Sequence, residues 1–215
     1  QLHYLMQMIN LITVASIGRV GAAFSVRSAL YNSKSPSILG TRCFATTTDD
    51  EHEIMHRKHY AISGVGHRSK VTCKTNTNHI LEADVPKKMG GGDEAPQPVE
   101  HLLAALVGCT QATATYVGRM MRPRLIIEKI GFNIEAYRDE RGALSLPITE
   151  LPPIPARLQS VSGSVDVHFK DGVEVSEEQL RVLGEQTEAR CPVANMMHAS
   201  GCVMDIQWRN GADVQ

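Results

Sequence analysis

Apolar and polar positions change their spacing several times along this 215-residue chain, and each change marks an element. Tyr60 to Lys74 reads as strand, turn, strand, with Gly64 and Gly66 as the turn. His79 to Val85 alternates and sets Leu81, Ala83 and Val85 on one face, until Pro86 ends the strand. Lys87 to Pro98 is a loop, punctuated by Gly90, Gly91, Gly92, Pro96 and Pro98. The spacing then becomes helical. A long helix is predicted over Val99 to Met121, stopped by Arg122 and Pro123. Leu102 to Val117 contains no Asp, Glu, Lys or Arg, and a helix that is apolar or small on every side is one buried all round. Thr110, Gln111, Thr113 and Thr115 argue against a membrane span.

Strand spacing returns at Ile130, Phe132, Ile134 and Ala136. Leu144 to Pro155 is an irregular insert carrying Pro147, Pro152, Pro153 and Pro155. Val161, Gly163, Val165, Val167 and Phe169 form the next strand face, and Asp171-Gly172 marks a turn. Ser176 with Gln179 is a capping box that opens a second helix, which directs Leu180 and Leu183 at the core and ends near Ala189. Pro suits the first position of a helix, so Cys191-Pro192 starts a short one through Met197 with Cys191 as N-cap. Cys202, Met204, Ile206 and Trp208 alternate on a last strand. Strands and helices segregated in runs indicate an α+β fold. A helix buried all round needs more cover than one small sheet provides, so a homodimer is expected.

Composition changes this picture at the N-terminus. Residues 1–48 hold no Asp or Glu but carry Arg19, Arg27, Lys34 and Arg42 among serines, the pattern of an organelle transit peptide. Arg42-Cys43-Phe44-Ala45 resembles a mitochondrial processing site, so mitochondrial delivery is expected, with a plastid as the alternative. The expected organisation is a leader over 1–48, a flexible linker over 49–57 and a folded domain over 58–210. Lys plus Arg number 22 against 23 for Asp plus Glu, which leaves no basic footprint for nucleic acid. Neither a nucleotide-binding glycine fingerprint nor a CxxC pair occurs, and His52, His56 and His59 read as a solvated segment rather than a metal site. No cofactor, metal or membrane anchor is expected.

Candidate chemistry resides in the five cysteines, Cys43, Cys73, Cys109, Cys191 and Cys202. Cys43 leaves with the leader. Cys73 and Cys202 sit on strand faces and read as packing. Cys109 shares a helix face with Leu102, Ala105, Leu106, Ala112, Thr113 and Tyr116, and reads as either a small buried side chain or a functional thiol. Cys191 follows Arg190 and precedes a helix start, where free amides and the helix dipole stabilise a thiolate. Its other reading is an N-cap that happens to be Cys.

The stretch Pro98-Val99-Glu100-His101-Leu102-Leu103-Ala104-Ala105-Leu106-Val107-Gly108-Cys109-Thr110 resembles the central-helix motif of the OsmC-like subgroup of the OsmC/Ohr family. Ala189-Arg190-Cys191-Pro192-Val193 resembles that family's second-cysteine motif. The resemblance covers roughly residues 58–209. It implies antiparallel sheets from both chains of a domain-swapped dimer, wrapped around two central helices. It also implies reduction of organic hydroperoxides or hydrogen peroxide. Cys109 would be the peroxidatic thiolate and Cys191 its resolving partner, with a lipoyl or thioredoxin-like dithiol as external reductant. Glu100 would be the carboxylate that holds a thiolate-stabilising cation, with Arg68 as that cation and Lys70 as the alternative. In the peroxidase branch the acid sits one residue earlier, where this chain has Val99, and the Pro-rich insert is longer than the family norm. Small-ligand binding and redox sensing without turnover are the competing functions.

Overall fold

The computed structural model describes residues 56–213, and the leader expected over 1–48 lies outside them. The first three strands, β1 (Ile62–His67), β2 (Lys70–Thr75) and β3 (Ile80–Ala83), form one antiparallel sheet in that order. The first turn differs from the expectation. His67 pairs with Lys70, so the chain reverses at Arg68-Ser69, with Arg68 at φ 55°. Gly64 and Gly66 lie inside β1 instead. Gly64 faces Cys73, and a Cβ on it would come 2.8 Å from the Cys73 sulfur. Glycine there makes room for a cross-strand neighbour and does not serve a bend.

The loop after β3 is drawn together by Asp84, whose side chain is almost fully buried. Its carboxylate accepts from Ser69 Oγ at 2.8 Å and from the backbone N–H groups of Val85 at 2.8 Å, Gly92 at 2.9 Å and Glu94 at 3.3 Å. The Ser69 hydroxyl, then the Val85 amide, hold the carboxyl at about 2, below its ordinary 3.8, against the opposing effect of burial. A depressed carboxyl stabilises the fold fully above its unfolded value, and that stabilisation is lost as pH falls from about 4 towards 2. Asp84→Asn is therefore expected to be less stable than wild type at pH 7 and to lose less stability between pH 4 and pH 2. Thermal melts across that range check this.

Helix α1 (Pro98–Met120) begins one residue earlier than expected, with Pro98 in the first turn. Its buried residues are Leu106, Thr110, Ala114, Val117 and Gly118. It is not buried all round by its own chain: Leu102, Tyr116 and Met120 are 43, 57 and 56 % exposed. The chain's sheet and helices cover only one face of α1. The apolar residues opposite are left about half exposed, which is why a charge-free sequence and a half-exposed helix coexist.

Strand β4 (Ile127–Tyr137) pairs antiparallel with β5 (Ser160–Phe169), setting Ile130 against Val167 and Phe132 against Val165. Between them come the one-turn helix α2 (Arg141–Leu144) and the Pro-rich insert, where Leu146, Ile148 and Leu151 are exposed. Helix α3 (Glu177–Arg190) opens with the expected box: Gln179 N–H donates to Ser176 Oγ at 3.2 Å, and Ser176 N–H to Gln179 Oε1 at 2.9 Å. Helix α4 (Pro192–Ala199) follows at once, then β6 (Val203–Asn210). β6 runs parallel to β5, so this sheet, in the order β4-β5-β6, is mixed and not purely antiparallel. A parallel pair requires a crossover, and α3 with α4 supplies it.

Two apolar clusters form the core. One joins Ala114 and Val117 of α1 to Leu125, Ile130, Val165, Val167, Leu180 and Leu183. The other joins Leu106 of α1 to Leu158, Val161, Cys191, Ala194, Met197 and Cys202.

Candidate active site

The second cluster is where the chemistry collects. Cys109 stands on α1, half-buried, on the border between the covered and uncovered faces of that helix. Cys191 stands at the corner where α3 ends and α4 begins, and its side chain is fully buried. Cys109 packs against the cluster that contains Cys191, and both are free thiols. The two expected redox residues, 82 positions apart in sequence, are thus brought together.

Cys191 is the N-cap of α4, as expected: Ala194 N–H donates to its sulfur at 3.4 Å. The expected thiolate does not follow. Burial raises the pKa of Cys191 above its ordinary 9.0, and a hydrogen bond with the Cys109 thiol raises it further, while the Ala194 and Val193 amides pull it down. Burial is the larger effect, so Cys191 stays a neutral thiol at pH 7. Cys202, also buried, has its pKa raised by burial, partly offset by the positive charge of Arg157. Arg157 is a cation at this cluster that sequence reasoning did not single out. It follows the Pro-rich insert, with no periodicity to mark it.

The expected activating groups are placed elsewhere in the chain. Glu100 completes the cap of α1, its Oε2 accepting from Gln97 N–H at 2.7 Å. That engagement is the ordinary role of an acid in a first helical turn. Arg68 occupies the exposed β1–β2 turn and makes no side-chain hydrogen bond or ion pair among the described residues. Lys70 is held by Glu94 at 3.1 Å and Glu82 at 3.8 Å. None of the three joins the cysteines within one chain. A groove of about 850 Å³ between α3 and β6, lined by Leu180, Arg181, Glu188, Trp208 and Arg209, includes neither cysteine. Among the described residues no cluster of His, Cys, Asp and Glu is arranged to hold a metal ion, and no helix is long and apolar enough to cross a membrane.

The family model for OsmC-like proteins matches residues 90–207, a span that includes both cysteines. Similar solved structures include an OsmC-like protein from Mycoplasma pneumoniae, 20% identical over 71% of this chain and 97% of that one, with a TM-score of 0.55. An OsmC-like protein of unknown function from Vibrio cholerae is 12% identical over 72% of this chain and 99% of that one, with a TM-score of 0.55. The organic hydroperoxide resistance protein OsmC from Legionella pneumophila is 15% identical over 71% of this chain and 97% of that one, with a TM-score of 0.52. At these identities the likeness is one of fold. No curated protein matches the chain.

Proposed function

Because this chain belongs to the OsmC-like protein family, we propose that it is a thiol-dependent peroxidase acting on organic hydroperoxides through Cys109 and Cys191. The observation that carries this reading is the meeting of two free thiols, one half-buried and one fully buried, in a single apolar cluster. The Cys109 thiolate attacks a peroxide oxygen: an S–O bond forms, the O–O bond breaks, and the alcohol leaves with a proton. Cys191 then attacks the sulfenic sulfur. The S–S bond forms, and the hydroxyl leaves as water with the proton from Cys191. An external lipoyl or thioredoxin-like dithiol returns two electrons and two protons. A fully buried Cys191 suits the second role, because burial shields it from peroxide while it packs beside Cys109, ready for the sulfenic sulfur.

A free cysteine thiol, with a pKa of about 8.5 in water, is mostly protonated at pH 7, and peroxide attack needs the thiolate. A cation that stabilises the Cys109 thiolate is not supplied by Arg68 or Lys70 of the same chain. The exposure of Leu102, Tyr116 and Met120 on α1 supports a homodimer, with a second copy covering this face and completing the site. A monomer at micromolar concentration in analytical ultracentrifugation contradicts that part. The engagement of Glu100 in the helix cap favours, as a second reading, a redox sensor that oxidises once.

Turnover separates the two. With cumene hydroperoxide and dihydrolipoamide, a peroxidase consumes many equivalents, and Cys191→Ser stops after about two or three as Cys109 over-oxidises past the sulfenic to the sulfinic and sulfonic acids. A sensor consumes about one equivalent even as wild type. No consumption by wild type contradicts both.

A further inference from the structure

In an α-helix the carbonyl of one residue accepts from the N–H four residues on. At the end of α3 this pattern fails for a reason visible in the sequence. The donor for Glu188 would be residue 192, which is proline and has no N–H. The donor for Ala189 would be Val193, which lies beyond the extended residue Cys191 at φ −77°, ψ 113°. Those carbonyls are satisfied from α4 instead. Asn195 turns its side-chain amide back, and Nδ2 lies 3.1 Å from the Glu188 carbonyl oxygen, 2.9 Å from that of Ala189 and 3.3 Å from that of Cys191. Its backbone N–H donates to the same Cys191 carbonyl at 2.9 Å, while Cys191 N–H donates to Thr187 at 2.9 Å. One side chain thus ties the last turn of α3 to the first turn of α4 across Cys191. A weaker contact spans the corner, His198 Nε2 to Glu188 Oε2 at 3.9 Å.

We infer that Asn195 is a positioning residue for disulfide closure: it fixes the α3–α4 corner, and with it the direction in which Cys191 presents its sulfur to Cys109. The inference rests on the redox-pair reading above. Asn195 is exposed and needs no contact with peroxide. It acts by supplying N–H groups where Pro192 has none.

The test measures closure of the Cys109–Cys191 disulfide in the full chain, driven by diamide, which needs no peroxidase activity. The N=N bond of diamide takes two electrons, and both thiol protons end as N–H. Asn195→Asp keeps the shape but offers only acceptors to the three carbonyls, and Asn195→Leu offers nothing polar. Ser176→Ala is the control, since it weakens the far end of α3 without touching the corner. The expected result is closure at least about tenfold slower in both Asn195 variants, with Ser176→Ala at the wild-type rate. Under cumene hydroperoxide the Asn195 variants accumulate a dimedone-trappable Cys109 sulfenate that wild type does not. Unchanged closure in Asn195→Asp overturns the inference, and so does equal slowing in Ser176→Ala. A wild type that fails to close with diamide overturns it together with the redox pair. A wild type that closes with diamide but ignores peroxide defeats only the peroxidase reading.

Discussion

Cys109→Ser is expected to slow peroxide consumption on the order of 10³-fold or more. The reason is chemical. A thiolate is a strong nucleophile towards peroxide oxygen, and a serine hydroxyl at neutral pH is not. The substitution is close to isosteric and falls on a half-buried position at the edge of the core cluster, so folding is expected to survive it. Stopped-flow consumption of cumene hydroperoxide, beside a far-ultraviolet spectrum of the variant, checks both halves. Retained activity in a folded Cys109→Ser variant contradicts the assignment and moves the search to a site that does not use this sulfur. Cys202 is the obvious thiol to examine next, because it lies in the same cluster with Arg157 beside it.

Leu183→Ala is expected to cost about 3 kcal/mol of stability, with a fall in Tm of roughly 10 °C. Leu183 has no exposed surface and sits on α3 among Ala114, Val117, Val165, Val167 and Leu180. Its loss leaves a cavity that rigid neighbours on α1 and β5 cannot fill. The cysteines belong to the other cluster, around Leu106, Val161 and Met197. At temperatures where the variant is folded, disulfide formation is therefore expected at near the wild-type rate. Calorimetry with thiol titration after mild oxidation measures the two effects separately. A Tm within a degree or two of wild type, or disulfide chemistry lost in the folded variant, contradicts the division of the core into two clusters.

Features carried by short-range rules were legible in the sequence. Pro98 is the first residue of α1 and Pro123 lies three past its last, Met120, because proline fits a helix start and not its interior. Ser176 and Gln179 form the reciprocal box their spacing implies, and Cys191-Pro192 starts a helix. Features decided by tertiary context were not. Gly64 and Gly66 suggested a turn, yet Gly64 is set by the neighbouring Cys73 sulfur and the turn falls on Arg68-Ser69. The amides at Cys191 were visible from the helix start, but the burial that outweighs them depends on Leu106, Leu158 and Val161 arriving from distant segments. Glu100 offered a carboxylate, and the structure uses it on Gln97. Asp84 and Asn195 each gather three or more hydrogen bonds, but a lone polar residue has no periodicity to betray it. The parallel pairing of β6 with β5 was likewise hidden, because alternation in a strand does not encode its direction.

Peptide mapping by mass spectrometry, after one equivalent of cumene hydroperoxide with and without dithiothreitol, shows whether Cys109 and Cys191 are a redox pair. The expected result is rapid loss of two hydrogens and a linked pair of peptides containing Cys109 and Cys191, reversed by the dithiol. Slow oxidation, or oxygen added at Cys73 and Cys202 with Cys109 and Cys191 still reduced, would contradict it.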